Sequence, residues 1–279
     1  MLSYRHQFHA GGPADVLKHS ILTILILEMK KKDKPFFVLD THGGAGLYDL
    51  KHPWAEKTNE WRDGIGRIWD ATDIPESLDP YLTTIRAFNR QELRWYPGSP
   101  TIIQQNLRSQ DRICIAELNK GDIEHLKARF HKVPKTEVIA GDGFHAVKAK
   151  LPPVERRGLV FMDASFDQPN EFQRILGAVQ NALKRFRTGT IAVWRPILDD
   201  AAMQDFDSGF VELLPPETIK LGLELHSVHQ PGRAKGSDLV IINPPFRLTE
   251  KTDPMLEWLW SKLAQTGEGG PIHKVLVKE

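Results

Sequence analysis

Short apolar runs alternate with longer helical segments along most of this chain, and this alternation is the strongest constraint on its fold. The runs hold Val, Ile and Phe side by side, which is typical of strands buried on both faces of a parallel sheet. Between them, Asp122–Phe130 and Glu171–Phe186 repeat apolar residues at helical spacing. The runs are Phe36–Leu39, Ile113–Ala116, Glu137–Ala140, Leu159–Met162 and Thr190–Trp194. We therefore predict an α/β fold with a doubly wound, mostly parallel sheet.

The C-terminal third of the chain shows a different pattern. Leu221, Leu223 and Leu225 alternate with Glu224 and His226, and a Pro-Gly-Arg-Ala-Lys-Gly segment leads from there into the apolar run Leu239–Ile242. Two strands joined so closely are expected to form an antiparallel pair at one end of the sheet.

A long segment after the first apolar run interrupts the alternation. From about residue 51 to residue 96 we find no convincing strand, but helical patterns cover Glu60–Trp69 and Leu78–Phe88. Prolines mark the joints of this segment. We predict a single domain over residues 1–279 that contains a helical insertion at residues 50–96.

Cysteine content and hydropathy bear on the compartment. The single cysteine, Cys114, has no partner for an internal disulfide, which favours a reducing compartment. The first residues lack a secretory signal pattern. The longest apolar stretch, Ile21–Met29, contains Thr23 and Glu28 and is far shorter than the roughly 20 residues that span a bilayer. We expect a soluble cytosolic protein without membrane contact.

The overall charge argues against a strongly cationic nucleic-acid binder, since 37 Lys and Arg face 36 Asp and Glu. The charges are unevenly distributed, however. Six acids and no Lys or Arg lie between residues 196 and 219, which leaves a formal charge of +7 on the rest of the chain, whose total is +1. Basic residues cluster at residues 30–34, 148–157 and 184–187. Such clusters are usually solvated faces, but a near-neutral total can conceal a phosphate-facing side.

Three strand ends carry residues that suit a nucleotide-like cofactor. Leu39–Gly46 (LDTHGGAG) places glycines after a buried run, where the backbone can approach a ligand closely. Glu117 follows the next run and could accept hydrogen bonds from two ribose hydroxyls, and Gly141–Phe144 could bracket an adenine ring. Asp163 follows the fourth run, at the expected crevice. Each feature alone has an ordinary reading: a structural turn, a solvated acid, or a cap.

Several blocks together make the chain resemble the 23S ribosomal RNA adenine-N6 methyltransferase J family, whose members have also been described as involved in catabolism of external DNA. The resemblance covers nearly the whole chain, including the insertion. It is carried by YRHQFHAG at residues 4–11, ADVLKH at 14–19, LDTHGGAG, YPGSP at 96–100 and GDGF at 141–144.

The resemblance implies a Rossmann-like class I methyltransferase that uses S-adenosylmethionine to methylate N6 of an adenine in protein-poor or naked 23S rRNA. Asp163 would be catalytic and would also contact the cofactor. Tyr4, His6 and Phe166 would contact the RNA. The other cofactor contacts would be Lys18, His19, His42, Gly43, Ser99, Glu117, Asp142 and Gly143. A metal set of His6, His9 and His19 is not favoured, because no Cys or helical H-x-x-x-H frame accompanies it. We predict no metal site, and a monomer.

The catalytic motif departs from the usual Asp/Asn-Pro-Pro-Tyr/Phe, because Asp163-Ala164-Ser165-Phe166 lacks both prolines. The carboxylate, the carbonyl and the ring that could stack on a flipped base remain. If all of the lost stiffness appeared in the activation barrier, the reaction would slow roughly fourfold to thirtyfold, which would impair the enzyme without abolishing its activity. Asn243-Pro244-Pro245-Phe246 matches the motif better, but it follows the last strand, so we interpret it as a rigid exit turn that could line the substrate side.

Two other classes of function stay open at this point. The first is an RNA-binding homologue that keeps the cofactor pocket but has lost catalysis through Ala164-Ser165. The second is a nicotinamide-dependent oxidoreductase that uses the same glycine turn, although G-x-G-x-x-G is missing and Glu117 lies far from the glycines.

Overall fold

The alternating segments form a central sheet with helices on both faces. The computed structural model describes residues 5–168, 170–198, 200–226 and 234–278. Within these residues eight strands pair in the order β10-β8-β9-β7-β6-β1-β4-β5. They are β1 Phe37–Asp40, β4 Arg112–Glu117, β5 Thr136–Ala140, β6 Gly158–Met162, β7 Thr190–Ile197, β8 Thr218–Glu224, β9 Gly236–Ile242 and β10 Gly270–Val277. The five predicted apolar runs are all strands, and β5, β4, β1, β6 and β7 are parallel neighbours.

The helices pack on the two faces because successive strand residues point in opposite directions. On β1, Val38 belongs to one apolar core, whereas Phe37 and Leu39 belong to the other. The first core is covered by α1 Pro13–Lys30, α4 Asp79–Ala87, α5 Ser99–Asn106, α6 Lys120–Phe130 and α10 Thr249–Leu263. The second is covered by α7 Gly143–Lys150, α8 Glu171–Arg185 and α9 Asp200–Glu212. No helix in these described ranges is long and apolar enough to cross a membrane.

The C-terminal strands confirm one prediction and add a strand that the sequence pattern did not indicate. β8 and β9 pair antiparallel as expected, but β9 lies between β7 and β8 rather than at the edge. β10 forms the edge beyond β8. Its side chains are mostly half-buried or exposed, which weakens the apolar pattern by which a strand is recognised.

The segment predicted as a purely helical insertion differs from that prediction in two ways. Trp95–Pro97 (β3) pairs antiparallel with Leu47–Asp49 (β2), so this part of the chain does contain a strand. The helix predicted at Glu60–Trp69 ends at Asp63 as α3, Glu60–Asp63, which follows α2, Pro53–Thr58. It ends because Gly64 packs against the backbone of Gly11, where a Cβ would lie 2.1 Å from the Gly11 oxygen. This tertiary contact has no local sequence signal.

The parallel strands define two opposite edges of the sheet. We call the edge where β1, β4, β5, β6 and β7 end the carboxyl edge, and the edge where they begin the amino edge. The three basic clusters lie at the C-terminal ends of α1, α7 and α8 and in the loops that lead from these helices into β1, β6 and β7, at the amino edge. Asn243 also lies there, because Ile242 pairs with Ile191 near the start of β7.

Candidate functional site

A cavity opens at the carboxyl edge, where side chains that lie far apart in the sequence converge. Its empty space is about 900 Å³ when its opening to solvent is included. It is lined by His6, Lys18, His19, Thr41, His42, Gly43, Gly44, Tyr48, Gly98, Ser99, Glu117, Leu118, Asn119, Asp122, Asp142, Gly143, Asp163, Ser165, Glu171 and Arg174. Ligands of doubly wound sheets bind at this edge.

The turn after β1 forms a backbone cradle along one wall of the cavity. The Gly43 amide donates to the Ala116 carbonyl at 3.0 Å, and a Cβ on Gly43 would lie 2.4 Å from Ile115. Gly44 has a φ of +59°, and a Cβ there would lie 2.1 Å from the Tyr48 hydroxyl. Only glycine therefore fits both positions, which leaves backbone rather than side chain facing the cavity.

Glu117 closes the adjacent wall at the end of β4. Its two carboxylate oxygens accept hydrogen bonds from the amides of Gly44, at 2.7 Å, and Asn119, at 2.6 Å. Burial raises the pKa of Glu117. The side chain is thus fixed by the glycine turn itself, and each oxygen keeps a lone pair for a further donor.

Asp142 and Gly143 lie at the end of β5. Asp142 caps α7 by accepting from the Phe144 amide at 2.7 Å, and its other oxygen pairs with Arg174 at 2.8 Å. A Cβ on Gly143 would lie 1.9 Å from the Thr41 oxygen, so the start of α7 and the turn after β1 touch through backbone atoms. These two turns form adjoining walls of the cavity.

A chain of ion pairs fixes Asp163, which follows β6. The Lys18 ammonium lies 2.6 Å from one Asp163 oxygen and 2.7 Å from Oδ1 of Asp15. The other Asp15 oxygen lies 2.9 Å from Nε2 of His6 and accepts from the Gly11 amide at 2.9 Å. The catalytic candidate is therefore tied to α1 and to the N-terminal segment as well as to its own loop.

The shifted pKa values of Asp15 and Lys18 favour the charged form of each side chain. Burial alone would raise the pKa of Asp15, but the nearby His6 and Lys18 hold it well below its usual value. Burial would likewise lower the pKa of Lys18, but the carboxylates of Asp15 and Asp163 raise it. The ammonium and the Asp15 carboxylate thus stabilise each other in a place from which water is nearly excluded.

Three further residues that we predicted as cofactor contacts are neutral hydrogen-bonding groups. Burial lowers the pKa of His19 to about 3 and that of His42 to about 4. His19 Nδ1 lies 2.8 Å from the Tyr96 hydroxyl, and His42 Nδ1 lies 2.7 Å from the Thr41 hydroxyl. Ser99 donates to Asp40 at 2.7 Å.

The structure brings together ten of the twelve predicted site residues. The ten that line the cavity are His6, Lys18, His19, His42, Gly43, Ser99, Glu117, Asp142, Gly143 and Asp163. Lys18 reaches the cavity, but its ammonium is held by two carboxylates. Phe166 lies outside the lining, half-buried against Phe172 and Trp194, and Tyr4 lies outside the described residues.

Sequence reasoning missed several residues that shape the site. Asp15 could have been noticed, because it stands three positions before Lys18 on a helix, where ion pairs form. Arg174 and Trp194 have no such signal, since their neighbours come from other elements. Arg174 pairs with Asp142, and the Lys18 ammonium lies 5.1 Å from the centre of the Trp194 ring. The Trp194 N–H is buried and finds no acceptor in the described part of the chain.

The histidines of the hypothetical metal set take separate partners. His6 contacts Asp15, His9 contacts Glu60 at 2.9 Å and His19 contacts Tyr96. No group of three His, Cys, Asp or Glu side chains within the described ranges is arranged to hold a metal ion.

The Asn-Pro-Pro-Phe segment lies at the amino edge, at the opposite end of the strands from Asp163. The Asn243 amide donates to the carbonyls of Arg187, at 2.7 Å, and Gly189, at 2.8 Å. The interpretation as a rigid turn is consistent with these bonds. The segment does not line the cavity, because β9 runs antiparallel to β7 and ends at the other edge.

Asp40, beneath the glycine turn, predicts a pH dependence of stability. Burial raises its pKa to about 7 in the folded protein, although hydrogen bonds from Ser99 and the His42 amide oppose that shift. The unfolded chain loses this proton near pH 4, so the group's contribution to the free energy of unfolding is complete below pH 4. It is then lost at about 1.4 kcal/mol per pH unit as the pH rises towards 7.

We therefore expect Asp40→Asn to become more stable relative to the parent as the pH rises from 5 to 7, with no further gain above pH 8. Urea unfolding at several pH values measures this difference. Asp33→Asn, at an exposed aspartate, controls for the loss of one negative charge. A difference between Asp40→Asn and the parent that does not change with pH would contradict the assignment.

The sheet and the cavity together define a class of protein. The order β5-β4-β1-β6-β7-β9-β8, with β9 antiparallel between two strands of like direction, is that of class I methyltransferases, as are the glycine turn after β1 and the acid after the next strand. The chain belongs to the family described as Ribosomal RNA large subunit methyltransferase D, RlmJ, whose model matches residues 33–276.

Full-length relatives agree with this assignment. The chain is 40% identical to Ribosomal RNA large subunit methyltransferase J of Escherichia coli K12, over all of both chains, and 39% identical to the protein of the same name from Haemophilus influenzae, over 96% of both. It also resembles the crystal structure of protein LPL1258 from Legionella pneumophila. That match has a TM-score of 0.89 and 35% identity and covers 96% of this chain and 98% of the other.

Proposed function

We propose that this protein transfers a methyl group to N6 of an adenine in 23S rRNA. The observation that carries the proposal is the position of Asp163: its carboxylate lines the cavity beside the glycine cradle and is held there by Lys18. The family and its curated relatives are named as methyltransferases of large-subunit ribosomal RNA, which supplies the substrate class.

The cofactor of this chemistry is S-adenosylmethionine, which supplies an electrophilic methyl group on a sulfonium. The cavity suits it, because Gly43 and Gly44, where only glycine fits, present bare backbone to the cavity and let a ligand approach the turn closely. We assign the ribose hydroxyls to Glu117 and the adenine end to Asp142 and Gly143. His19, His42 and Ser99 would contact the remaining polar groups.

The residues around Asp163 would prepare the exocyclic amine of the target adenine. The Asp163 carboxylate and the Ala164 carbonyl would accept hydrogen bonds from the two N–H groups, which moves the nitrogen lone pair out of conjugation with the ring. When the cofactor is bound, this lone pair would be directed at its methyl group, S-adenosylhomocysteine would be the leaving group, and the N6 proton would pass to the Asp163 carboxylate and on to solvent. Lys18 orients the carboxylate, and Phe166 or Trp194 would stack against the flipped base.

The ion pair between Lys18 and Asp163 holds the catalytic loop in a way that compensates for its missing prolines. Ala164 is 2% exposed, so the backbone after Asp163 is packed rather than free. Lys18 is itself buried on a helix and fixes Asp163 from the other side. This second anchor offsets the loss of loop stiffness and supports an active enzyme over an RNA-binding homologue without catalysis. The oxidoreductase alternative is not favoured, because the family consists of methyltransferases.

The proposal also covers the oligomeric state of the protein, its compartment, the form of its RNA substrate and its domain organisation. We propose that it acts as a monomer in the cytoplasm on free or protein-poor rRNA, and that residues 1–279 form one methyltransferase domain with the insertion at 50–96. Apolar side chains of α4, in the insertion, belong to the same core as those of α1, which supports a single domain.

Incubation with labelled S-adenosylmethionine and unmodified 23S rRNA tests the proposed function. We expect the label in N6-methyladenine after nuclease digestion, identified by mass spectrometry, at one position of the RNA. Fully assembled large subunits serve as the comparison and should accept less label. If neither 23S rRNA nor any fragment of it is methylated, the proposed function is wrong.

A further inference from the structure

The amino edge carries a basic surface that faces away from the methyl-transfer cavity. We define the basic edge as residues 30–34, 148–157, 184–187 and 243–247. The first three segments lead into β1, β6 and β7, which are adjacent strands, and the fourth follows β9, which pairs with β7. The fold thus joins four segments that are remote in the sequence into one continuous strip.

The charges of this strip are strongly one-sided and largely free. It holds twelve Lys and Arg and only two Asp and Glu. Three of the cations, Lys31, Lys150 and Arg247, pair with Glu28, Glu137 and Glu250. For six exposed cations no carboxylate lies within ion-pair distance in the part of the chain that the structure describes, namely Lys32, Lys34, Lys148, Arg156, Lys184 and Arg185.

An aromatic ring stands among these cations. Phe246 is 87% exposed. At that exposure its ring adds little to the apolar core and so little to the stability of the fold. Its position is fixed, because Pro244 and Pro245 stiffen the turn and the Asn243 side chain is bonded to two carbonyls of the 184–189 loop. An exposed ring beside unpaired cations is the combination that binds nucleic acid, by base stacking and phosphate contact.

The lining of the cavity, in contrast to the basic edge, is mostly acidic. It contains five carboxylates, Glu117, Asp122, Asp142, Asp163 and Glu171, against the cations Lys18 and Arg174. An RNA phosphate backbone gains little attraction there, whereas phosphate contacts usually dominate affinity. We propose that the basic edge is a second RNA-binding surface, which holds the phosphate backbone of a part of the rRNA remote from the methylated adenine. This proposal rests on the proposed function.

The five residues of β6 separate the two surfaces by about 17 Å. A small RNA hairpin bound at the cavity is not expected to reach the basic edge, whereas folded rRNA presents further helices to it.

We therefore expect Lys32→Glu/Lys148→Glu/Lys184→Glu to weaken binding of 23S rRNA by on the order of a hundredfold at low salt. The same variant should reduce the slope of the logarithm of the binding constant against the logarithm of the salt concentration by about 2 to 3. Phe246→Ala should weaken binding of 23S rRNA by on the order of tenfold.

The matched control is Lys57→Glu/Arg90→Glu/Lys274→Glu, which lowers the net charge equally at exposed sites away from the basic edge. Methylation of the shortest hairpin that the parent accepts should be the same in both triple variants, as should their unfolding midpoints. If both triple variants bind 23S rRNA with equal affinity, the proposal is overturned. Because binding is measured without turnover, a parent that binds rRNA through the basic edge but methylates nothing would refute only the proposed function.

Discussion

Asp163→Ala is expected to lower the rate of methyl transfer by on the order of a thousandfold. The substitution removes the carboxylate that would accept the amine hydrogen bond, and nothing else in the cavity lining stands next to it on the same loop except Ser165. The fold should persist, because Lys18 keeps Asp15 as its partner. Single-turnover transfer to 23S rRNA measures the rate, and a thermal shift with S-adenosylmethionine checks that the cavity still binds the cofactor.

Two variants separate the role of the acceptor oxygen from that of the charge. Asp163→Asn keeps an acceptor but loses the ion pair with Lys18, so it should retain more activity than Asp163→Ala. Asp205→Ala removes an exposed carboxylate on α9, outside the cavity lining, and should act like the parent. Transfer by Asp163→Ala within tenfold of the parent rate would mean that another group prepares the amine.

Lys18→Met is expected to have the largest effect on stability, about 3–5 kcal/mol in the free energy of unfolding. The substitution leaves the carboxylates of Asp15 and Asp163 without their shared cation, and both Lys18 and Asp15 are almost fully buried. Transfer should also fall by on the order of a hundredfold, because Asp163 loses the contact that orients it. Urea unfolding and single-turnover kinetics measure the two effects.

The residue directly after this helix offers a matched control for this prediction. Lys31 forms an ion pair with Glu28, but its side chain is 59% exposed, so Lys31→Met should cost less than about 1 kcal/mol. Adding Asp163→Asn to Lys18→Met removes one of the stranded carboxylates and should restore part of the lost stability. A loss no larger for Lys18→Met than for Lys31→Met would show that the buried ion pairs contribute little.

Much of the fold could be predicted because four of the five parallel strands, β4, β1, β6 and β7, are largely buried on both faces, and the half-buried edge strand β5 still carries an apolar run. Five continuous apolar runs marked β1, β4, β5, β6 and β7 within a few residues. β10 has few buried side chains, and α3 ends where Gly64 meets Gly11, so neither feature has a local pattern that reveals it. The position of Asn243 depended on the direction of β9, which hydropathy does not specify.

The candidate site was predictable in its parts but not in its connections. Glycines and acids at strand ends indicated the cavity, since parallel strands end at one edge. The ion pairs from Lys18 to Asp163 and from Arg174 to Asp142 join elements more than thirty positions apart. Side-chain partners of that kind depend on packing, so the sequence suggested a cofactor contact for Lys18 where the structure gives it two carboxylates.

The helix α1 fixes the distance between the cavity and the basic edge. This one helix begins at the cavity, where it carries Asp15 and Lys18, and ends at the basic edge with Lys30. At about 1.5 Å per residue, the part of the helix from Lys18 to Lys30 spans about 18 Å, which agrees with the length of β6. An RNA that occupies both surfaces must therefore present its target adenine and a stretch of backbone at that fixed separation. The enzyme would then select RNA in which the target adenine and the bound backbone lie at this distance, which only the correctly folded RNA provides.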